Sequence, residues 1–91
     1  MGIPEQIRQL IRTRIDAGQL PYAGFYEVFG RKGGDLPCAC CDQLITAQQT
    51  EYDLELSSSL GVITTLPMHQ CCYRAWYEVA SAIRRSESAA S

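Results

Sequence analysis

The sequence predicts a small α+β domain, with a helix at each end and β-structure between them. Three observations point there. Apolar residues recur at the helical period near both termini, they alternate at a period of two in the middle, and two short cysteine- and histidine-bearing clusters flank that middle stretch.

Near the amino terminus Ile7, Leu10, Ile11 and Ile15 fall at i, i+3, i+4 and i+8, with Arg8, Arg12 and Asp16 on or beside the opposite face. This predicts an amphipathic helix from Glu5 to Ala17. Pro4 suits its first turn, Gly18 supplies the left-handed position that ends helices, and Pro21 prevents continuation. Phe25 to Phe29 has the aromatic and β-branched content of a short strand, and Gly30 to Asp35 reads as a loop. From Glu51 to Leu56, Tyr52, Leu54 and Leu56 alternate with Glu51, Asp53 and Glu55, so the expected strand has an apolar face toward the core and a solvated acidic face. Ser57 to Gly61 is a turn and Val62 to Leu66 a returning strand, which together make an antiparallel hairpin. After Pro67 the period changes: Cys72, Trp76, Val79, Ala80 and Ile83 define a second helix from Gln70 to Arg85, closed by Arg84 and Arg85 in its last turn. Residues 86–91 are small and polar and are expected to form a disordered tail, leaving residues 1–85 as one domain without repeats or linkers.

The chemistry lies in the two clusters. Pro37-Cys38-Ala39-Cys40-Cys41-Asp42 holds a Cys-x-x-Cys pair, and Met68-His69-Gln70-Cys71-Cys72 a His-x-x-Cys pair. Two residues between thiols let a tight turn aim both sulfurs at one ion, and residues three apart share one face of a helical turn. Cys38, Cys41, His69 and Cys72 thus form a four-ligand set of the kind that closes a tetrahedral structural zinc site, one Zn2+ per chain. A chain of 91 residues buries little surface and is expected to need such a staple. Five cysteines without an export signal argue for a reducing, cytoplasmic location and against a disulfide framework. Cys40 and Cys71 neighbour ligands without the favoured spacing. They read as packing residues first, and otherwise as substitute ligands or oxidisable thiols.

The order of these parts, a turn with two ligands, a hairpin, then a helix whose first turn gives the other two, resembles treble-clef zinc domains over about residues 37–85. The longer pattern, Gly18-x-Leu20-Pro21, Pro37-Cys38-x-x-Cys41, the acidic strand with Tyr52, and His69-x-x-Cys72-Tyr73-x-x-Trp76, is similar to a group of small bacterial zinc-finger-like proteins. That group has no established activity, so the resemblance implies the metal site and nothing about function.

Four good ligands leave a zinc ion no open position, and His69 is the sole histidine, so no catalytic residues are expected and the chain is read as a non-enzyme. The leading expectation is a structural-zinc module that contacts a partner protein. Nucleic-acid binding through Arg8, Arg12, Arg14, Arg31 and Lys32 is an alternative, opposed by the formal net charge of −2. A thiol-based redox or metal sensor using Cys40 and Cys71 is another. No apolar run is long enough to cross a bilayer, so no membrane association is expected.

Overall fold

The computed structural model describes residues 4–24, 26–58 and 60–90. Its elements are α1 (Glu5–Asp16), β1 (Tyr26–Lys32), β2 (Leu36–Pro37), β3 (Leu44–Ile45), β4 (Thr50–Ser57), β5 (Ile63–His69) and α2 (Gln70–Ala90). The α+β class holds, with a helix at each end of a small antiparallel sheet. Strands β1, β4 and β5 form a three-stranded sheet in the order β1-β4-β5, and β2 and β3 pair separately as a short arm.

Helix α1 ends as its sequence directs. Gly18 takes a φ of +78°, and the Gly18 and Gln19 amides donate to the carbonyls of Ile15 (3.0 Å) and Arg14 (2.8 Å). These are the two bonds of a Schellman cap, which satisfy carbonyls the last turn would otherwise leave open. The stripe then buries Ile11 and Ile15 against α2, while Arg8 pairs with Glu78 across the two helices.

Helix α2 lies across the sheet face formed by Leu54, Leu56, Leu66, Met68 and Val28. Trp76 is fully buried there, edge-on to Tyr26 with ring centroids 5.3 Å apart, and its indole N–H donates to the Pro21 carbonyl at 2.7 Å. Tyr73 meets Tyr52 in the same manner at 5.1 Å. Such pairs add about 0.5–1.5 kcal/mol each beyond their buried area.

Several expectations are corrected. Strand β1 begins at Tyr26, with Phe25 outside the described residues, and continues through Gly30 to Lys32 where a loop was expected. Pairing with β4 from Tyr26↔Leu56 to Lys32↔Thr50 supplies the ladder that local composition does not signal. Strand β5 runs past Pro67 to His69, so His69 ends a strand and does not begin the helix. The returning strand expected from Val62 begins at Ile63, and Val62 and Ile63 are 59% and 62% exposed at the end of the β4–β5 hairpin. Helix α2 continues to Ala90 where a disordered tail was expected after Arg85. Residues 86–90 contain no helix breaker, the Tyr22 hydroxyl donates to Glu87, and Arg84 donates to the Tyr22 carbonyl at 2.7 Å, so the extension has partners of its own. Ser91 lies outside the described residues.

The acidic face of β4 is also not solvated. Glu51 is 0% exposed and Asp53 8%, on the central strand of the sheet with Arg31 and the Gly34 amide against them. Arg31, directly across from Glu51 on β1, spans both carboxylates with its Nε, at 3.0 Å from Glu51 and 3.1 Å from Asp53. The Gly34 amide donates to Glu51 at 3.2 Å, whereas Asp53 Oδ1 has no donor among the described residues. Burial, then the neighbouring Glu51, push the Asp53 carboxyl up to about 6, while a hydrogen bond from Asp53 holds Glu51 below its ordinary range.

Two predictions follow from this packing. A Cβ on Gly33 would sit 2.0 Å from the Thr46 carbonyl oxygen, whereas one on Gly34 would meet nothing closer than 3.7 Å. Gly33→Ala is therefore expected to cost about 1–3 kcal/mol in denaturant unfolding, by overpacking the backbone that carries β3, with Gly34→Ala less than half of that. Asp53 has a raised pKa in the folded state, so the folded protein holds its proton between the unfolded value and about 6 and gains stability as pH falls through that window. Asp53→Asn is expected to be no less stable than the parent at about pH 7, with its relative standing worsening toward about pH 5. A pH-independent difference between the two proteins would contradict the assignment.

Candidate metal centre

The first ligand pair sits in the turn between β2 and β3. The Cys38 amide donates to the Gln43 carbonyl at 2.8 Å and the Asp42 amide to the Cys38 carbonyl at 2.9 Å, closing the loop, and Asp42 takes a φ of +66°, a conformation aspartate tolerates better than most residues. Inside this turn the Cys40 amide points at Cys38 Sγ, 3.4 Å away, and the His69 amide approaches the same sulfur at 3.5 Å. Amides aimed at a sulfur favour its thiolate form.

The second pair spans a junction. His69 closes β5 and Cys72 stands in the first turn of α2, so the change from strand to helix turns the imidazole and the thiol toward one point. His69 Nδ1 lies 3.4 Å from Cys41 Sγ and 3.9 Å from Cys72 Sγ, and Nε2 lies 3.1 Å from the Leu44 carbonyl. With Nε2–H donating to that carbonyl, Nδ1 carries its lone pair toward the sulfurs, which is the tautomer a metal ligand requires.

Structure thus brings together Cys38, Cys41, His69 and Cys72, whose donor atoms all lie within 4.8 Å of one another, and positions them to hold a metal ion. Cys38 and Cys72 are buried, and Cys41 and His69 half-buried. No pair is joined as a disulfide. Three sulfurs this close cannot all ionise without a positive charge among them. Hydrogen bonds from Cys40 and then Cys72 hold the Cys38 thiol far below the ordinary range, while the bond to Cys38 drives Cys72 up and burial does the same to Cys41. Donors that share protons in this way fit a cation, which would release them.

The two remaining cysteines differ. Cys40 is fully buried, its Sγ 3.9 Å from the Cys72 carbonyl, and its thiol is pushed far up by its bond to Cys38. Cys71 points outward and is exposed.

Two supporting residues escape sequence reasoning. Arg14 of α1 reaches the turn, pairing with the Asp42 carboxylate and approaching the Ala39 carbonyl at 3.5 Å, and so docks the first helix on the ligand loop. Leu44 contributes only a carbonyl, for which no side-chain signal exists. The Ala39 amide also donates to the Pro67 carbonyl at 2.7 Å, fastening the turn to the outer edge of β5.

No family model matches this chain, and no curated protein or solved structure matches it either. None of the comparisons supports the expected resemblance to bacterial zinc-finger-like proteins; what stands is the Cys38, Cys41, His69 and Cys72 cluster. Among the described residues no helix is long and apolar enough to cross a membrane.

These positions separate the cysteines experimentally. Cys41→Ser and Cys72→Ser are expected to abolish stoichiometric metal retention through gel filtration, while Cys71→Ser retains it fully. Cys40→Ser is expected to retain metal with a stability loss of about 1–3 kcal/mol, since a buried thiol gives way to a more polar hydroxyl. Equal metal loss in all four variants would show that the donor set differs from the one described.

Proposed function

We propose that this protein is a small structural-zinc module of treble-clef type, non-catalytic, whose role is to present a folded surface to a partner protein. The observation that carries the reading is the closure of the donor set: three thiols and one imidazole nitrogen converge within 4.8 Å, and the second imidazole nitrogen is already engaged by Leu44. Zinc suits these donors because it is borderline-soft and tetrahedral. Zn–S bonds of about 2.3 Å and Zn–N bonds of about 2.0 Å put neighbouring ligand atoms about 3.5–3.8 Å apart, close to the 3.4 and 3.9 Å separations of His69 Nδ1 from Cys41 and Cys72. Zinc bound here would supply folding free energy by linking residues 38–41 to residues 69–72.

A treble-clef reading is supported by the ligand turn between β2 and β3, the β4–β5 hairpin, and the strand-to-helix junction that carries His69 and Cys72. Against catalysis, four protein donors leave no position for water, and the nearby carboxylates of Glu51 and Asp53 are buried under Arg31. Nucleic-acid binding is disfavoured by pairing of four of the five basic residues it would use, Lys32 alone of them having no ion pair among the described residues. Arg8 is held by Glu78, Arg12 by Asp16, Arg14 by Asp42, and Arg31 by Glu51 and Asp53. A cytoplasmic thiol sensor would have only Cys71 as an accessible thiol outside the donor set, since Cys40 is buried. The partner-protein reading draws on Leu60, Val62 and Ile63, which are 88%, 59% and 62% exposed at one end of the hairpin.

Protein purified without chelator is expected to carry about one zinc per chain, and chelation under reducing conditions should unfold it. Structural zinc contributes on the order of 10 kcal/mol, more than a domain of this size can lose. Circular dichroism and the fluorescence of buried Trp76 would follow the loss. A metal-free protein that still melts cooperatively would refute a structural role.

A further inference from the structure

We propose that β1 joins two copies of this chain edge to edge, in antiparallel register centred on Phe29, so that their three-stranded sheets become one continuous sheet. The inference rests on the sheet edge and is independent of which ion the thiols hold.

The edge is open, and its polarity can be read from bonds at the ends of the ladders. Gly33 lies opposite Gln49 when the β1–β4 register is extended by one pair, and its amide donates to the Gln49 carbonyl at 2.9 Å. Antiparallel pairs alternate between bonded and non-bonded, so Arg31, Phe29 and Glu27 also direct their amides and carbonyls at β4. Tyr26, Val28, Gly30 and Lys32 must then direct theirs outward. The far side of the sheet agrees: Ser58 bonds Val62 at 2.9 Å across β4–β5, and Pro67 offers its carbonyl outward to Ala39, as the same alternation requires. Among the described residues no hydrogen bond reaches the outward groups of β1. The opposite edge, on β5, is blunted, because Pro67 has no N–H and its carbonyl is taken. A seven-residue strand with an unpaired ladder is a template for another strand.

What identifies the occupant is the sequence of the edge itself. Tyr26-Glu27-Val28-Phe29-Gly30-Arg31-Lys32 is self-complementary about its centre. In the Phe29-centred register, Phe29 meets Phe29 on the two-fold axis, and Glu27 of each copy meets Arg31 of the other. Val28 lies opposite Gly30, and Tyr26 opposite Lys32. The outward groups of Val28 and Gly30 then pair, and Glu27–Arg31 and Phe29–Phe29 become non-bonded pairs, where opposing side chains are closest. Centring on Val28 or Gly30 instead sets Phe29 against Glu27 or Arg31 and shortens the ladder.

The side chains are prepared for this. Phe29 is 46% exposed. Glu27 is exposed and makes no ion pair among the described residues. Arg31 is anchored through Nε by Glu51 and Asp53, and its two terminal nitrogens make no hydrogen bond among the described residues. A charge held in place by buried partners loses little freedom when it meets a second carboxylate.

The test uses the metal-loaded full chain. Sedimentation over a range of concentrations should show a monomer–dimer equilibrium. Amide exchange should show Val28, Gly30 and Lys32 becoming protected as dimer forms, while Glu27, Phe29 and Arg31 are protected at every concentration. Glu27→Arg sets like charges opposite each other twice and should weaken the dimer about tenfold or more, with metal content and Trp76 fluorescence unchanged. Val28→Pro removes an outward amide without removing a bond to β4, and should abolish association; if it fails to fold, Glu27→Arg decides. A monomer at all concentrations would overturn the proposal. So would a dimer indifferent to Glu27→Arg, or one whose Val28 and Gly30 amides exchange as fast as in the monomer, which would instead place the contact at the exposed hairpin end.

Discussion

Two segments far apart in sequence, residues 38–41 and 69–72, meet at one cluster of three sulfurs and an imidazole, and the remainder of the architecture is arranged around that meeting. The β2–β3 arm consists of two residue pairs, of which only Ile45 is buried in the core while Leu36 and Leu44 are exposed, so it has little apolar surface with which to hold itself against the sheet. Its other attachments include the donor cluster, the Ala39–Pro67 bond and the Arg14–Asp42 pair. Only the first of these is able to supply energy on the scale of the whole domain's stability, through the proposed ion. The same junction sets where β5 stops and α2 begins, and so fixes how Tyr73 and Trp76 meet the sheet.

The sheet's second face has an unusual interior. Glu51 is removed from water there, and the cost is met by Arg31 from the neighbouring strand and by the Gly34 amide from the loop leading into the β2–β3 arm. Removing one partner of such a set leaves a buried charge uncompensated, which costs more than the set contributes when intact. The arrangement therefore specifies geometry more than it adds stability. Arg31 is the link between this polar interior and the open edge of β1, since one face of its guanidinium is committed inward and the other end is left toward solvent.

Much of the chain's outline was legible from residues alone, for identifiable reasons. The helical stripes through Ile11, Ile15, Trp76 and Ala80 and the alternation through Tyr52, Leu54 and Leu56 are local periodicities, and Gly18 needs a left-handed backbone wherever it ends a helix. The Cys-x-x-Cys and His-x-x-Cys spacings likewise describe what short stretches of backbone can present to one point. These features depend on neighbours in sequence.

Tertiary structure decided the rest, because each outcome depends on a partner that the local pattern does not contain. Alternation in β4 separated two faces correctly but could not say that Glu51 and Asp53 on the acidic one would be buried, since their partners are Arg31 on another strand and the Gly34 amide. Pro67 reads locally as a break, yet it sits on a strand edge where a missing amide costs nothing and its carbonyl is used. Val62 and Ile63 have the composition of core residues, yet at the end of the β4–β5 hairpin they stay more than half exposed. Residues 86–90 carry weak helix signals that prevail because Glu87 and Arg84 find Tyr22. The sequence by itself determined which residues prefer helix, strand or metal; the fold determined which of those preferences are met, because burial and hydrogen-bond satisfaction are properties of pairs distant along the chain.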